Sequence, residues 1–198
     1  MRAAAGEGIP LVVDTNCPWT PDQARLMAKR LLPYDPHWLE EPIFPPEDFD
    51  ALSRLGAEIG IPIAAGENAC TAFEFKKKFD AGDVQYALPS VTKVGGITEM
   101  QKIAALAEAM GVALILNSPY FGPGFLATNQ FAASQPVEFF LERFYCALEA
   151  SLYCELVDTV DGAFVVPLAA NPTLMSFANT VWREISYAYC AFRFSQTG

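Results

Sequence analysis

The sequence has a single histidine, His37, in 198 residues. Any imidazole chemistry rests on that one side chain or is absent. The five cysteines, Cys17, Cys70, Cys146, Cys154 and Cys190, are scattered and odd in number. No CxxC pair occurs, which argues against zinc or a disulfide framework and makes a reduced cytoplasm the default. No apolar run approaches the roughly 20 residues of a membrane span, and the opening MRAAAGEGIP has no apolar signal region. Cations are scarce: 13 Lys and Arg stand against 23 Asp and Glu, a net charge of −10. That balance argues against nucleic acid or an anionic membrane as a partner and suits a protein whose acids hold a cation. There is no GxGxxG or Walker A pattern, and the VGG at 94–96 is too short to cradle a phosphate.

What is present is an alternation. With 52% hydrophobic and 18% charged residues, the chain reads as globular and long enough for a full core. LVVDTN (11–16) reads as a strand. Thr20-Pro21-Asp22-Gln23 then forms a capping box that opens the helix PDQARLMAKRLL. HWLEE follows as strand, Pro46 opens the helix PEDFDALSRLGAEI, and Gly60 stops it. IPIAAGE (61–67) is strand, and the capping box Thr71–Glu74 opens a helix that ends near Gly82. VQYALP (84–89) is strand, ITEMQKIAALAEAM is helix closed by Gly111, and VALILN (112–117) is strand. GFLATNQFAAS completes the helices and FFLERF (139–144) the strands. Strand then helix, six times, is an α/β signature with a parallel sheet buried on both faces.

The polar strand ends choose between an open doubly wound sheet and a barrel. Asp14, Glu40, Glu67, Ser90, Asn117 and Glu142 recur every 23 to 27 residues, each at the carboxyl end of a strand. One polar group per βα unit at that end is how a (β/α)8 barrel builds its site. Asp14, Glu40 and Glu67 come from consecutive strands, which lie about 4.8 Å apart. Three carboxylates at matching heights would suit a hard divalent cation, most often magnesium. The alternative for each acid is a lysine partner or a helix cap.

VVDTN, WLEEP, GENA and TKVGGITEM resemble the mandelate racemase and muconate lactonizing enzyme subgroup of the enolase superfamily, from about Gly6 to about Val166. The resemblance implies an enolase C-terminal domain-like fold, a partial TIM-type (β/α)8 barrel comprising strands three to eight. It implies Mg2+ bound by Asp14, Glu40 and Glu67, with Glu41 a structural neighbour. It also implies abstraction of the proton α to a carboxylate of a hydroxy acid or sugar acid, by a lyase (dehydratase) or racemase. The implied partner is a small-molecule carboxylate, and relatives commonly form homo-oligomers.

The chain departs from that pattern at the bases. Ser90 and Asn117 stand where the family's Asp–His dyad would be, and neither removes a carbon-bound proton unaided at neutral pH. His37 precedes its strand and should face the opposite end. Too few residues precede Asp14 for another βα unit, so the first two strands, the family's Lys-x-Lys and its capping domain are expected to be absent. Such a barrel would leave exposed edges. Lys93, three residues past Ser90, is the candidate base, with an ion pair to the rim acids as its alternative. Asn117 is a candidate donor to a substrate oxygen, and Glu142 a candidate partner of the substrate carboxylate, unless it pairs with Arg143. Tyr120, Phe121 and Phe125 either wall a pocket or pack. The expected division is a barrel domain over 1–167, with DGAFVVP (161–167) as a late strand, and a divergent tail over 168–198. The alternative function is a catalytically inactive metal-binding remnant, such as a truncated gene product.

Overall fold

The structure, a computed structural model, describes residues 2–6, 8–82, 84–119, 122–136, 141–142, 159–160, 163–164 and 166. The chain divides into two compact units, Met1–Phe144 and Tyr145–Gly198. The first unit is a succession of strands and helices. After a short helix α1 (Arg2–Ala5) come β1 (Leu11–Asp14), α2 (Pro21–Leu31), β2 (Pro36–Glu40), α3 (Phe49–Ile59), β3 (Ile63–Ala65), α4 (Ala72–Ala81), β4 (Tyr86–Ala87), α5 (Ile97–Met110), β5 (Ala113–Leu114) and α6 (Pro123–Ala133). The sheet order is β1-β2-β3-β4-β5, and every pairing is parallel. A bridge from Leu116 to Leu141 continues the wall into the sixth predicted strand. This is the wall of a partial (β/α)8 barrel.

Local chemistry sets the helix ends. Both predicted capping boxes are made: Thr20 and Gln23 exchange side-chain and backbone hydrogen bonds, as do Thr71 and Glu74. Gly60 and Gly111 end α3 and α5 at φ 67°, the left-handed conformation that closes a helix without a Cβ clash. The predicted start of α3 at Pro46 is corrected. Asp48 is the N-cap, its carboxylate accepting from the Ala51 N–H at 3.0 Å, so the helix begins at Phe49.

Two apolar clusters hold the layers together. Ala24, Ala28, Leu39, Leu52, Leu55 and Ile63 join α2 and α3 to the first three strands. Phe75, Ala87, Met100, Ile103, Leu116 and Phe131 join α4, α5 and α6 to the later ones. The hydrophobic effect of this burial is the main stabilising term for the unit. Residues 161–167, expected as a late barrel strand, differ where they are described. In the second unit β6 (Thr159–Val160) pairs antiparallel with β7 (Ala163–Phe164). A two-residue connection supports that pairing, whereas a parallel strand needs a long crossover. The expected boundary after Pro167 and the tail over 168–198 lie outside the described residues. Among the described residues no helix is long and apolar enough to cross a membrane.

Candidate metal centre

The site is set by strand register. Asp14 and Glu40 are direct partners across β1 and β2, and Glu40 pairs onward with Ala64 of β3. Glu67 follows two residues after β3, past Gly66. Gly66 is required there: its φ is 135°, and an added Cβ would stand 2.7 Å from Phe75 Cε1. Asn117 and Glu142 lie just beyond the bridged pair Leu116 and Leu141. The loop after β1 is pinned to the end of β2, with the Thr15 hydroxyl donating to the Glu40 and Glu41 carbonyls at 2.9 and 3.0 Å.

Electrostatics bind these acids into one group. Burial pushes the Glu40 carboxyl up to about 7, and the charges of Asp14, Glu142 and Glu67 push the same way, while the Trp38 indole N–H opposes them. Glu67 is raised by burial, and the charges of Glu41 and Asp14 add to that; Lys93 lowers it. Glu142 is raised by burial and by Glu67 and Asp14. The cation at the rim is Lys93, whose Nζ is 3.8 Å from Glu67 Oε1 and 3.4 Å from Asn68 Oδ1. The buried Asn117 amide nitrogen bridges two carboxylates, donating to Glu67 Oε2 at 3.2 Å and Glu142 Oε2 at 3.1 Å. The donor set is all oxygen and strongly negative, which fits a hard divalent cation. As placed, no three acidic, sulfur or imidazole side chains among the described residues are close enough to hold one.

Glu41 turns the other way. It is fully buried, at φ 40°, with Oε1 accepting the Gly66 N–H at 2.7 Å and Oε2 the Cys17 thiol at 3.4 Å. Burial, then the Glu41 charge, pushes the Cys17 thiol up to about 12, so Cys17 stays a protonated donor. Lys78 of α4 is 2% exposed, its ammonium 5.2 Å from the centre of the Phe49 ring. Burial lowers its pKa, and Glu41 is the strongest of the charges that oppose this. The sequence reading missed Lys78. The available signal was helical spacing: Phe75 and Phe79 mark the buried face of α4, and Lys78 falls between them at i+3.

Ser90 is fully buried, its hydroxyl 3.1 Å from that of Thr92. His37 lies within β2 rather than before it, three residues below Glu40, with Nε2 3.3 Å from the Tyr86 hydroxyl. Phe125 is buried; Tyr120, Phe121 and Arg143 lie outside the described residues. Cys70 is exposed, its thiol 3.7 Å from the Asn68 carbonyl.

A parallel α/β wall carrying its acids at the carboxyl ends of consecutive strands defines a class, the barrel proteins whose site lies on that face. The chain belongs to the enolase C-terminal domain-like family, whose model matches residues 1–170. It is similar to 3,6-anhydro-alpha-L-galactonate cycloisomerase of Streptomyces coelicolor, 41% identical over 114 residues, covering 58% of this chain and 31% of that protein. It is similar to D-galactonate dehydratase of Ralstonia pickettii, 39% identical over 127 residues, covering 64% of this chain and 33% of that protein. Among solved structures it is similar to L-talarate dehydratase from Polaromonas sp. JS666 complexed with Mg and L-glucarate. That match has a TM-score of 0.63 and 32% identity, and covers 72% of this chain and 37% of the other. The chain spans about a third of the length of the curated relatives it matches.

Proposed function

We propose that this chain carries the Mg2+-binding face of an enolase-superfamily lyase (dehydratase) or racemase acting on a sugar acid or hydroxy acid. The observation that carries this is the gathering of acids at one end of the barrel wall: Asp14 and Glu40 are register partners, the Asn117 amide joins Glu67 and Glu142, and Lys93 is the neighbouring cation. Asp14, Glu40 and Glu67 would hold the ion. Bound there, Mg2+ would supply Lewis-acid stabilisation of negative charge developing on a substrate carboxylate. The relatives named as D-galactonate dehydratase and L-talarate dehydratase support a sugar acid as the substrate.

The chain's own side chains divide the remaining work. Asn117 holds Glu67 and Glu142 in one orientation and offers an amide to a substrate oxygen. Glu142 orients the substrate from the rim. Lys93 is the candidate base, and removing a proton from carbon requires it to leave its ion pair with Glu67 and become neutral. That same ion pair favours a second reading, a metal-binding protein without proton-abstraction chemistry. It engages the Lys93 ammonium with Glu67, while Ser90 and Asn117 stand where the family's dyad would be. Incubation with Mg2+ and a panel of C5 and C6 aldonic and aldaric acids in deuterated water separates the two. The first reading expects deuterium at the α-carbon or a 2-keto-3-deoxy product, lost in Lys93→Met. Neither signal for any acid, with Mg2+ bound, favours the second.

A further inference from the structure

Trp38 and Glu40 are two residues apart on β2 and so share a face of the sheet. The Trp38 Nε1–H donates to Glu40 Oε2 at 2.9 Å. An indole N–H is a donor only, so Glu40 Oε2 is the acceptor in this contact. The ring is held by two neighbours. Tyr86 of β4 lies 5.1 Å away between ring centres at 44°, and His37 lies 5.4 Å away at 54°. The Tyr86 hydroxyl and His37 Nε2 are in turn 3.3 Å apart. Register explains the meeting: Ala64 of β3 is the partner of both Glu40 and Tyr86, so a small residue lies between the carboxylate and the ring that braces its donor. Rotating the indole away from Glu40 would require breaking that aromatic group.

We propose that Trp38 is a positioning residue for Glu40, occupying Oε2 through the braced indole N–H so that Oε1 is the oxygen offered to a cation. This inference rests on the magnesium reading above. It adds that the geometry of the first glutamate of the EEP stretch is set from below by an aromatic donor on its own strand. Partners that orient a ligating side chain in this way typically change metal affinity by about 10- to 100-fold when removed.

The test is a calorimetric MgCl2 titration of the wild type and Trp38→Phe, which keeps the stacked ring and deletes the N–H. The expected result is Mg2+ binding about 10- to 100-fold weaker in the variant, with an unchanged melting temperature in the absence of metal. A second readout uses the wild-type ring itself. The chain has three tryptophans, Trp19, Trp38 and Trp182, so Trp19→Phe and Trp182→Phe assign the indole N–H resonances of 15N-labelled protein. The Trp38 resonance is expected to move on adding MgCl2 and in Glu40→Gln, while that of Trp19 stays. Equal Mg2+ affinity in wild type and Trp38→Phe overturns the positioning role and leaves the magnesium reading intact. So does a Trp38 resonance indifferent to Glu40→Gln, which decides the matter if Trp38→Phe does not fold. A wild type that binds no Mg2+ overturns both.

Discussion

Glu40 and Glu41 are neighbours in sequence and opposites in environment. Glu40 faces other carboxylates and an indole N–H, and its proton is held up to about 7. Glu41 is buried on the helix side against a backbone N–H, a thiol and the field of Lys78. Glu40 is the last residue of β2, whereas Glu41 lies just past it in the left-handed conformation at φ 40°, so the chain turns between the two. The same residue type therefore does two jobs. On one side its charge is left for an external cation; on the other it is answered from within the fold. The two carboxylates of LEEP have different partners: Trp38 donates to Glu40, while Gly66 and Cys17 donate to Glu41 in the field of Lys78.

The comparison breaks most sharply at Lys78. Lys78 and Glu41 are both buried and act on each other through their charges, without a direct ion pair. Lys78→Met should lower stability in denaturant melts, by up to the about 3–5 kcal/mol that stranding a buried charge costs, and Lys78→Met with Glu41→Gln should recover most of it. Full additivity of the two would show that Glu41 and Lys78 do not act as a pair.

Glu40 predicts a pH dependence of the opposite kind. Its pKa in the folded chain is raised from 4.5 to about 7, so the folded state binds more protons than the unfolded state between those values. Without metal, stability should fall as pH rises from about 4.5 through 7, by roughly 3 kcal/mol if Glu40 acts alone. Glu40→Gln should flatten that slope. Mg2+ binding should strengthen over the same window, because the ion displaces a proton at lower pH.

Gly66 links the two sides, since its N–H holds Glu41 and its successor is Glu67. Gly66→Ala puts a Cβ into Phe75 at a φ of 135° and should cost about 1–3 kcal/mol, read as a lowered melting temperature. The smallest effect belongs to Lys93, which is partly exposed. Lys93→Met should change stability by less than about 1 kcal/mol, while Mg2+ binds somewhat more tightly once a competing cation leaves Glu67.

Much of the fold was legible because its signals are local. Thr20–Gln23 and Thr71–Glu74 announce helix starts within four residues, and Gly60 and Gly111 announce ends with one. The acids at strand ends were legible from their recurrence. Pro46 misled because a proline favours a first turn, yet the hydrogen bond that starts α3 comes from Asp48. Lys78 sits in FKKKF, which reads as a solvated run. Only its place between Phe75 and Phe79 on the helix shows that it points inward, while Lys76 pairs with Asp80 on the surface. Trp38 read as strand hydrophobicity, because a hydrogen bond between positions i and i+2 of one strand has no signature in composition.

The central claim is that the carboxylates facing Glu40 form a cation site. Thermal melting of the wild type and Glu40→Gln across a MgCl2 titration tests it most directly. A ligand that binds only the folded state adds about 2.7 kcal/mol at 100 times its dissociation constant. The account predicts a cooperative wild-type melt that rises with Mg2+ and a Glu40→Gln melt that does not. A wild-type melt indifferent to Mg2+, or an equal rise in the two proteins, would contradict it.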